Sequence, residues 1–123
     1  MTEEVYFFDT YAIIEILNAN PNYNKYINKV IVLTQLNSFE LFYNLLRDCR
    51  RDVVKIITER YTENAVRYSN EVIEEAAVMR FNLKNRHLSM ADCIGYIIAK
   101  KLGIKFLTGD KEFETMANVE FVK

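Results

Sequence analysis

Hydrophobic residues in this chain come in two textures, short apolar runs and longer stretches at helical spacing. Val5–Phe8 and Val30–Leu33 are apolar throughout, and Ile104–Leu107 and Val119–Val122 nearly so. None alternates apolar with polar, which is the pattern of strands in a parallel sheet covered on both faces. Between these runs lie segments with apolar residues three and four apart. Ile13, Ile14, Ile16 and Leu17 predict a helix capped by Thr10. A second helix is predicted from about Gln35 to Arg50, apolar on most sides through Leu36, Phe39, Leu41, Phe42, Leu45 and Leu46, and therefore expected deep in the fold.

Asn70–Lys84 carries Val72, Ile73, Ala76, Ala77 and Phe81 at helical spacing. Ser89 starts another helix, with Ile94, Ile97, Ile98 and Leu102, which stops at Gly103 behind Lys100 and Lys101. A serine start, a glycine stop and cations at the negative end agree on those limits. The segment 52–68 is the least legible: Val53, Val54, Ile56 and Ile57 suggest a helix, and Ala65–Tyr68 a short strand. The one proline, Pro21, marks a break after the first helix. Strands alternating with helices predict a single α/β domain over residues 1–123, a three-layer α/β/α sandwich around a mainly parallel sheet. Ligands in such sheets bind at the carboxyl ends of the strands.

Composition narrows the chemistry. Half of the 123 residues are apolar and 27% charged, as in an ordinary soluble domain. No apolar stretch approaches the ~18 residues of a membrane span, and the acidic start at Glu3 and Glu4 does not resemble a signal peptide. A cytoplasmic protein without a membrane partner is expected. Cys49 and Cys93 lack metal-ligand spacing, so both are expected reduced and packed in helices. His87 is the single histidine, read as a surface loop residue. This argues against structural zinc and against Ser-His-Asp or Cys-His hydrolases.

Four carboxylates stand where the chain leaves a strand or enters a helix: Asp9, Glu40, Asp92 and Asp110. Each has a local explanation. Asp9 suits a helix start, Glu40 a capping partner for Asn37 and Asp92 one for Ser89, and Asp110 a turn. Together they fall where acids converge, and carboxylates a few ångströms apart repel unless a cation joins them. The matching ion is hard and oxygen-loving, Mg²⁺ or Mn²⁺. With those acids engaged by metal, the remaining surface is mildly basic. Arg47, Arg50, Arg51 and Lys55 form one cationic run, and Arg80, Lys84, Arg86 and His87 another. Both are read as solvated helix faces, with phosphate contact as the sharper alternative.

Four motifs, Phe7-Phe8-Asp9-Thr10, Ser38-Phe39-Glu40-Leu41, Leu88-Ser89-Met90-Ala91-Asp92-Cys93 and Phe106-Leu107-Thr108-Gly109-Asp110-Lys111-Glu112-Phe113, occur in that order. In them the chain resembles the PIN domain family, the nuclease fold of VapC-type toxins and several RNA-processing enzymes. The resemblance implies that Asp9, Glu40, Asp92 and Asp110 bind one or two Mg²⁺ or Mn²⁺ ions and are catalytic. It implies Glu112 as an outer metal ligand and Thr10 and Thr108 as supporting hydroxyls. Water would attack phosphorus in line, oriented or deprotonated by Asp92 or Asp110. Arg47, Arg51 or Lys84 would grip backbone phosphates.

The implied substrate is single-stranded or loop RNA, the implied partners an antitoxin and a second copy in a homodimer. A PIN-fold RNA-binding or scaffold subunit of an RNA-processing or ribosome-maturation complex is the alternative. A dehalogenase-like phosphatase is disfavoured, because its Asp-x-Asp motif would need an acid where Tyr11 stands. A receiver-like phosphoacceptor is disfavoured because Lys105 and Lys111 miss the expected strand end.

Overall fold

The computed structural model describes residues 4–123, and Glu3 of the acidic start lies outside them. Four short strands, β1 (Val5–Phe8), β2 (Val30–Val32), β3 (Lys105–Thr108) and β4 (Val119–Phe121), form one sheet in the order β2-β1-β3-β4. Every neighbouring pair is parallel, with Phe7 opposite Val32 on one side and Phe106 on the other. Parallel pairing needs a crossover between strands; α1 (Thr10–Leu17) lies between β1 and β2, and α2 (Gln35–Leu45), α3 (Arg51–Thr62), α4 (Asn70–Asn82) and α5 (Met90–Leu102) between β2 and β3, whereas β3 reaches β4 through a short 3₁₀ turn.

The two-residue period of β1 divides the core. Tyr6 and Phe8 point with Leu107 into a layer of Ala12 and Ile13 from α1, Leu41 from α2, and Tyr23 and Tyr26 from a 3₁₀ turn. Phe7 points with Phe106 to the other face, against α5, α4 and Phe113. The aromatic rings there pack at centroid separations of 5.6 Å for Phe7–Phe106 and 4.7 Å for Phe106–Phe113. Helices cover both sheet faces, giving the expected three layers. Helix α5 is buried from Ala91 to Ala99, since it lies between the sheet and α4. It comes so close to β1 that a Cβ on Gly95 would sit 2.6 Å from the Phe7 ring.

Several predicted boundaries move. Helix α2 ends at Leu45 rather than Arg50; turns carry the chain through Cys49, and Arg50 becomes the extended residue before α3. Cys49 is therefore in a turn and half-buried, whereas Cys93 is buried in α5. Helix α2 is not deep either. Leu41 is sealed, but Phe39 is 71% and Tyr43 67% exposed, because α2 presents one face to the core and the sequence is apolar beyond it. Residues 65–68 form no strand. Ala65 makes one isolated bridge to Leu33, because β2 is only three residues long and offers little edge to extend. Gly103 caps α5 in the left-handed conformation at φ 69°, as its position predicts.

A Gly95→Val substitution should lower the unfolding free energy by about 1–3 kcal/mol, the usual cost of overpacking a filled core. The check is a urea midpoint shift at unchanged slope. A variant as stable as the wild type would mean that α5 stands farther from the sheet than described.

Candidate functional site at the carboxyl ends of β1 and β3

The chain leaves β1 for β2 on one side and reaches β3 on the other, so connections diverge between β1 and β3. A crevice at the carboxyl ends of such strands is where open α/β sheets hold ligands. Asp9 is the first residue past β1 and Thr108 the last of β3. The Asp9 amide continues the ladder by donating to the Leu107 carbonyl, which holds Asp9 at the carboxyl ends of β1 and β3.

Each predicted carboxylate arrives there through a local backbone device. Asp9, and not Thr10, is the N-cap of α1, accepting from the Thr10 amide at 2.9 Å. That frees the Thr10 hydroxyl to donate to Glu40 Oε1 at 2.8 Å, while accepting from Asn37 Nδ2. Glu40 does not pair with Asn37 in a capping box. The box at the start of α2 joins Thr34 and Asn37, leaving Glu40 a turn further on to face Thr10 and the Ser89 hydroxyl, which donates to its Oε2 at 3.2 Å. Asp92 does form the expected box with Ser89, its Oδ2 accepting from the Ser89 amide. Asp110 caps a 3₁₀ turn (Lys111–Phe113) through the Glu112 amide. The Thr108 hydroxyl closes the circle, donating to Asp9 Oδ2 at 2.7 Å and accepting from the Asp110 amide.

Gly109 is required between them. A Cβ there would lie 2.3 Å from the Tyr11 ring and 2.4 Å from the Val122 carbonyl oxygen.

The hydroxyls of Thr10, Ser89 and Thr108 thus tie Glu40 to α1 and α5, and Asp9 to β3. Asp9 and Asp92 are only 3% and 8% exposed. Burial drives the Asp9 carboxyl well above its ordinary value, with repulsion from Asp92 and then Glu40 adding to it against the Thr108 hydrogen bond. Burial likewise pushes Asp92 up to about 6, with Glu40 and Asp110 contributing, although hydrogen bonds from Ser89 pull the other way. Those mutual effects place all four acids in one field.

Among the described residues, the ion pairs of this fold involve other acids, and none engages Asp9, Glu40, Asp92 or Asp110. The donor set is all oxygen and negative, which fits a hard divalent cation in kind. It is not drawn into a cage: among the described residues, no three metal-ligating side chains are gathered tightly enough to enclose an ion. The carboxylates are instead held by their own caps, leaving Asp92 Oδ1 and Asp110 Oδ2 without a protein donor among the described residues.

Glu112 stands apart from this group. Its carboxylate accepts from the His87 amide, and it reaches the site only by donating its own amide to Asp110. His87 is exposed in the α4–α5 loop. Sequence reasoning missed Asn37, fully buried beneath Thr10, and the Ser89 link to Glu40. The Thr34-x-x-Asn37 spacing carried a signal for the first; a contact spanning 49 residues leaves none for the second.

A folded-state value near 6 for Asp92, against an ordinary 3.8, means that the fold retains a proton the unfolded chain has shed. This group therefore costs stability increasingly as pH rises from about 4 to about 6, reaching roughly 1–3 kcal/mol by neutrality. In EDTA at pH 7.5, Asp92→Asn should melt above the wild type, because asparagine keeps the cap oxygen and loses the charge. The gap should close at pH 4.5. A variant that melts lower at pH 7.5 would show that repulsion does not govern the site. Separately, Thr10→Val should cost about 1–3 kcal/mol by stranding the buried Asn37 amide and a half-buried Glu40 oxygen, measured by chemical denaturation; an unchanged midpoint would show that the network contributes nothing.

The PIN domain family model matches residues 6–119. No curated protein sequence matches the chain. Among solved structures, it is similar to a toxin–antitoxin complex from Klebsiella pneumoniae, with 16% identity over 96% of each chain and a TM-score of 0.70. It is also similar to VapBC2 from Rickettsia felis bound to a promoter DNA fragment, at 14% identity, 97% and 99% coverage and a TM-score of 0.71. DNA-bound VapBC from Salmonella typhimurium gives 16%, 98% and 97%, and 0.71. At such identities the likeness is one of fold, and it agrees with the parallel sheet. With 114 of its 123 residues inside the family match, this chain belongs to the PIN domain family.

Proposed function

We propose that this protein is a metal-dependent endoribonuclease acting as the toxin of a toxin–antitoxin pair in the cytoplasm. The observation that carries this reading is the group of four acids at the switch point of a PIN-family sheet, with no ion-pair partner among the described residues. Asp9, Glu40, Asp92 and Asp110 would hold one or two Mg²⁺ or Mn²⁺ ions, some through water. When bound, the ion supplies Lewis-acid activation of water and offsets negative charge on the phosphoryl group.

The chain's own residues do the rest. Thr10 and Ser89 fix both oxygens of Glu40, and Thr108 with the Thr10 amide fixes both of Asp9. Asp92, whose Oδ1 has no protein donor among the described residues, is free to orient or deprotonate the attacking water. Glu112 places Asp110 through its amide, and its carboxylate, which accepts from the His87 amide, would act as the outer ligand. Unpaired RNA reaches a recessed acidic crevice more readily than a stacked duplex.

An antitoxin partner fits the exposed apolar face of α2. A groove there is lined by Phe39, Phe42, Tyr43 and Leu46, with the buried Thr58 hydroxyl in its wall unpartnered among the described residues, and Glu40 lies on the same helix. Its support is that the structural neighbours are described as toxin–antitoxin complexes. A second copy of the chain, in a homodimer, is the other partner of this reading. Among the described residues no helix is long and apolar enough to cross a membrane.

The test is cleavage of an end-labelled, mixed-sequence single-stranded RNA with Mn²⁺ or Mg²⁺. Wild type should cut, EDTA should abolish cutting, and Asp92→Asn should lose at least about 100-fold in rate. Metal binding without cleavage of any RNA would favour the scaffold-subunit reading.

A further inference from the structure

A second feature lies where α4 runs out. Ala77, Arg80, Phe81, Lys84 and Arg86 line an open groove of about 360 Å³. Phe81 is 72% exposed, and Lys84 Nζ stands 5.3 Å from the centre of its ring. Cations at a helix carboxyl end are ordinary, since they answer the dipole. That explains Arg80 but neither the bare aromatic ring nor the anchoring of the arginines. Arg80 Nε donates to the Leu88 carbonyl at 3.0 Å, and Arg86 Nη1 to the Glu112 carbonyl at 2.6 Å. Neutral carbonyls aim a guanidinium without cancelling its charge. Among the described residues, none of Arg80, Lys84, Arg86 or His87 joins an ion pair.

Both anchors belong to the loops that carry the acids. Leu88 precedes Ser89, which binds Glu40 and Asp92; Glu112 holds Asp110 through its amide and His87 through its carboxylate. The groove is thus fastened to the rim of the carboxylate cluster. An apolar protein partner would have to strip water from three uncompensated cations to cover Phe81. A single nucleic-acid strand satisfies both features at once, phosphates on the cations and a base on the ring. The protein has a formal net charge of −1, so attraction for a polyanion must come from a local patch of this kind.

We propose that this groove is the track for single-stranded RNA beside the scissile position, with backbone phosphates on Arg80, Lys84 and Arg86 and a base stacked on Phe81. The assignment rests on the ribonuclease reading for its choice of RNA. It is tested without catalysis, by fluorescence anisotropy of a short unstructured labelled RNA in EDTA. Lys84→Glu and Phe81→Ala alter exposed side chains and should leave the melting temperature unchanged. Each should weaken binding about 10-fold, and Lys84→Glu should reduce the slope of log affinity against log salt by about 0.7. Lys105→Glu, at the opposite end of β3, should bind within about twofold of wild type, as its charge is far from the strand.

Wild-type affinity in both groove variants, or no RNA binding by the wild type, would overturn the proposal. Asp92-dependent cleavage with unmoved binding would remove the groove and keep the nuclease. Groove-dependent binding without cleavage of any RNA would do the reverse.

Discussion

A carboxylate buried to 3% exposure between the ends of two parallel strands must be stabilised by its surroundings, and the site grows from how this fold does that for Asp9. Its two oxygens take the Thr10 amide and the Thr108 hydroxyl, so β1, α1 and β3 are joined at one side chain. Those bonds do not offset the nearby Asp92 and Glu40 charges. The structure therefore holds an electrostatic tension that sheet packing maintains. Tyr6, Phe7 and Phe8 fix the strand on both faces, and Asp9 cannot retreat without breaking its ladder bond to Leu107.

The acids are held by devices that serve folding. Asp9 and Asp110 each cap a helical turn and Asp92 completes the capping box of Ser89, and a cap contributes about 1 kcal/mol whatever else the residue does. In the proposed reading, helix-start chemistry and cation chemistry are two uses of the same carboxylate, one oxygen to each in Asp92 and Asp110. Glu40 differs. It caps nothing, and its contacts are hydroxyls from α1 and the start of α5. Its place is thus the most dependent on tertiary packing, beneath an α2 face that is apolar and open to solvent.

The sheet was legible because parallel strands are covered on both faces and so read as unbroken apolar runs. Helix α5 was legible because Ser89 and Gly103 mark its ends by hydrogen bonding and backbone conformation. Helix α2 was read five residues too long, since no proline or glycine marks the turns after Leu45 and helical spacing continues through them. It was read too deep for a related reason: hydropathy cannot tell a side chain facing the core from one awaiting a partner. Thr10 and Asp9 are both good caps, and spacing could not choose between them. The four acids were visible as a pattern along the chain. Their hydroxyl links, with sequence separations from 30 to 99 residues, exist only after folding.

In the proposed reading these four carboxylates together form the site for one or two hard cations. Its most direct test is a crystal of the protein soaked in Mn²⁺ and measured for anomalous scattering. The account predicts a peak at the carboxyl ends of β1 and β3, with oxygens of Asp9 and Asp92 or Asp110 at about 2.0–2.2 Å or linked through water. A fully soaked crystal without a peak there, or with manganese only on other surface acids, would contradict it.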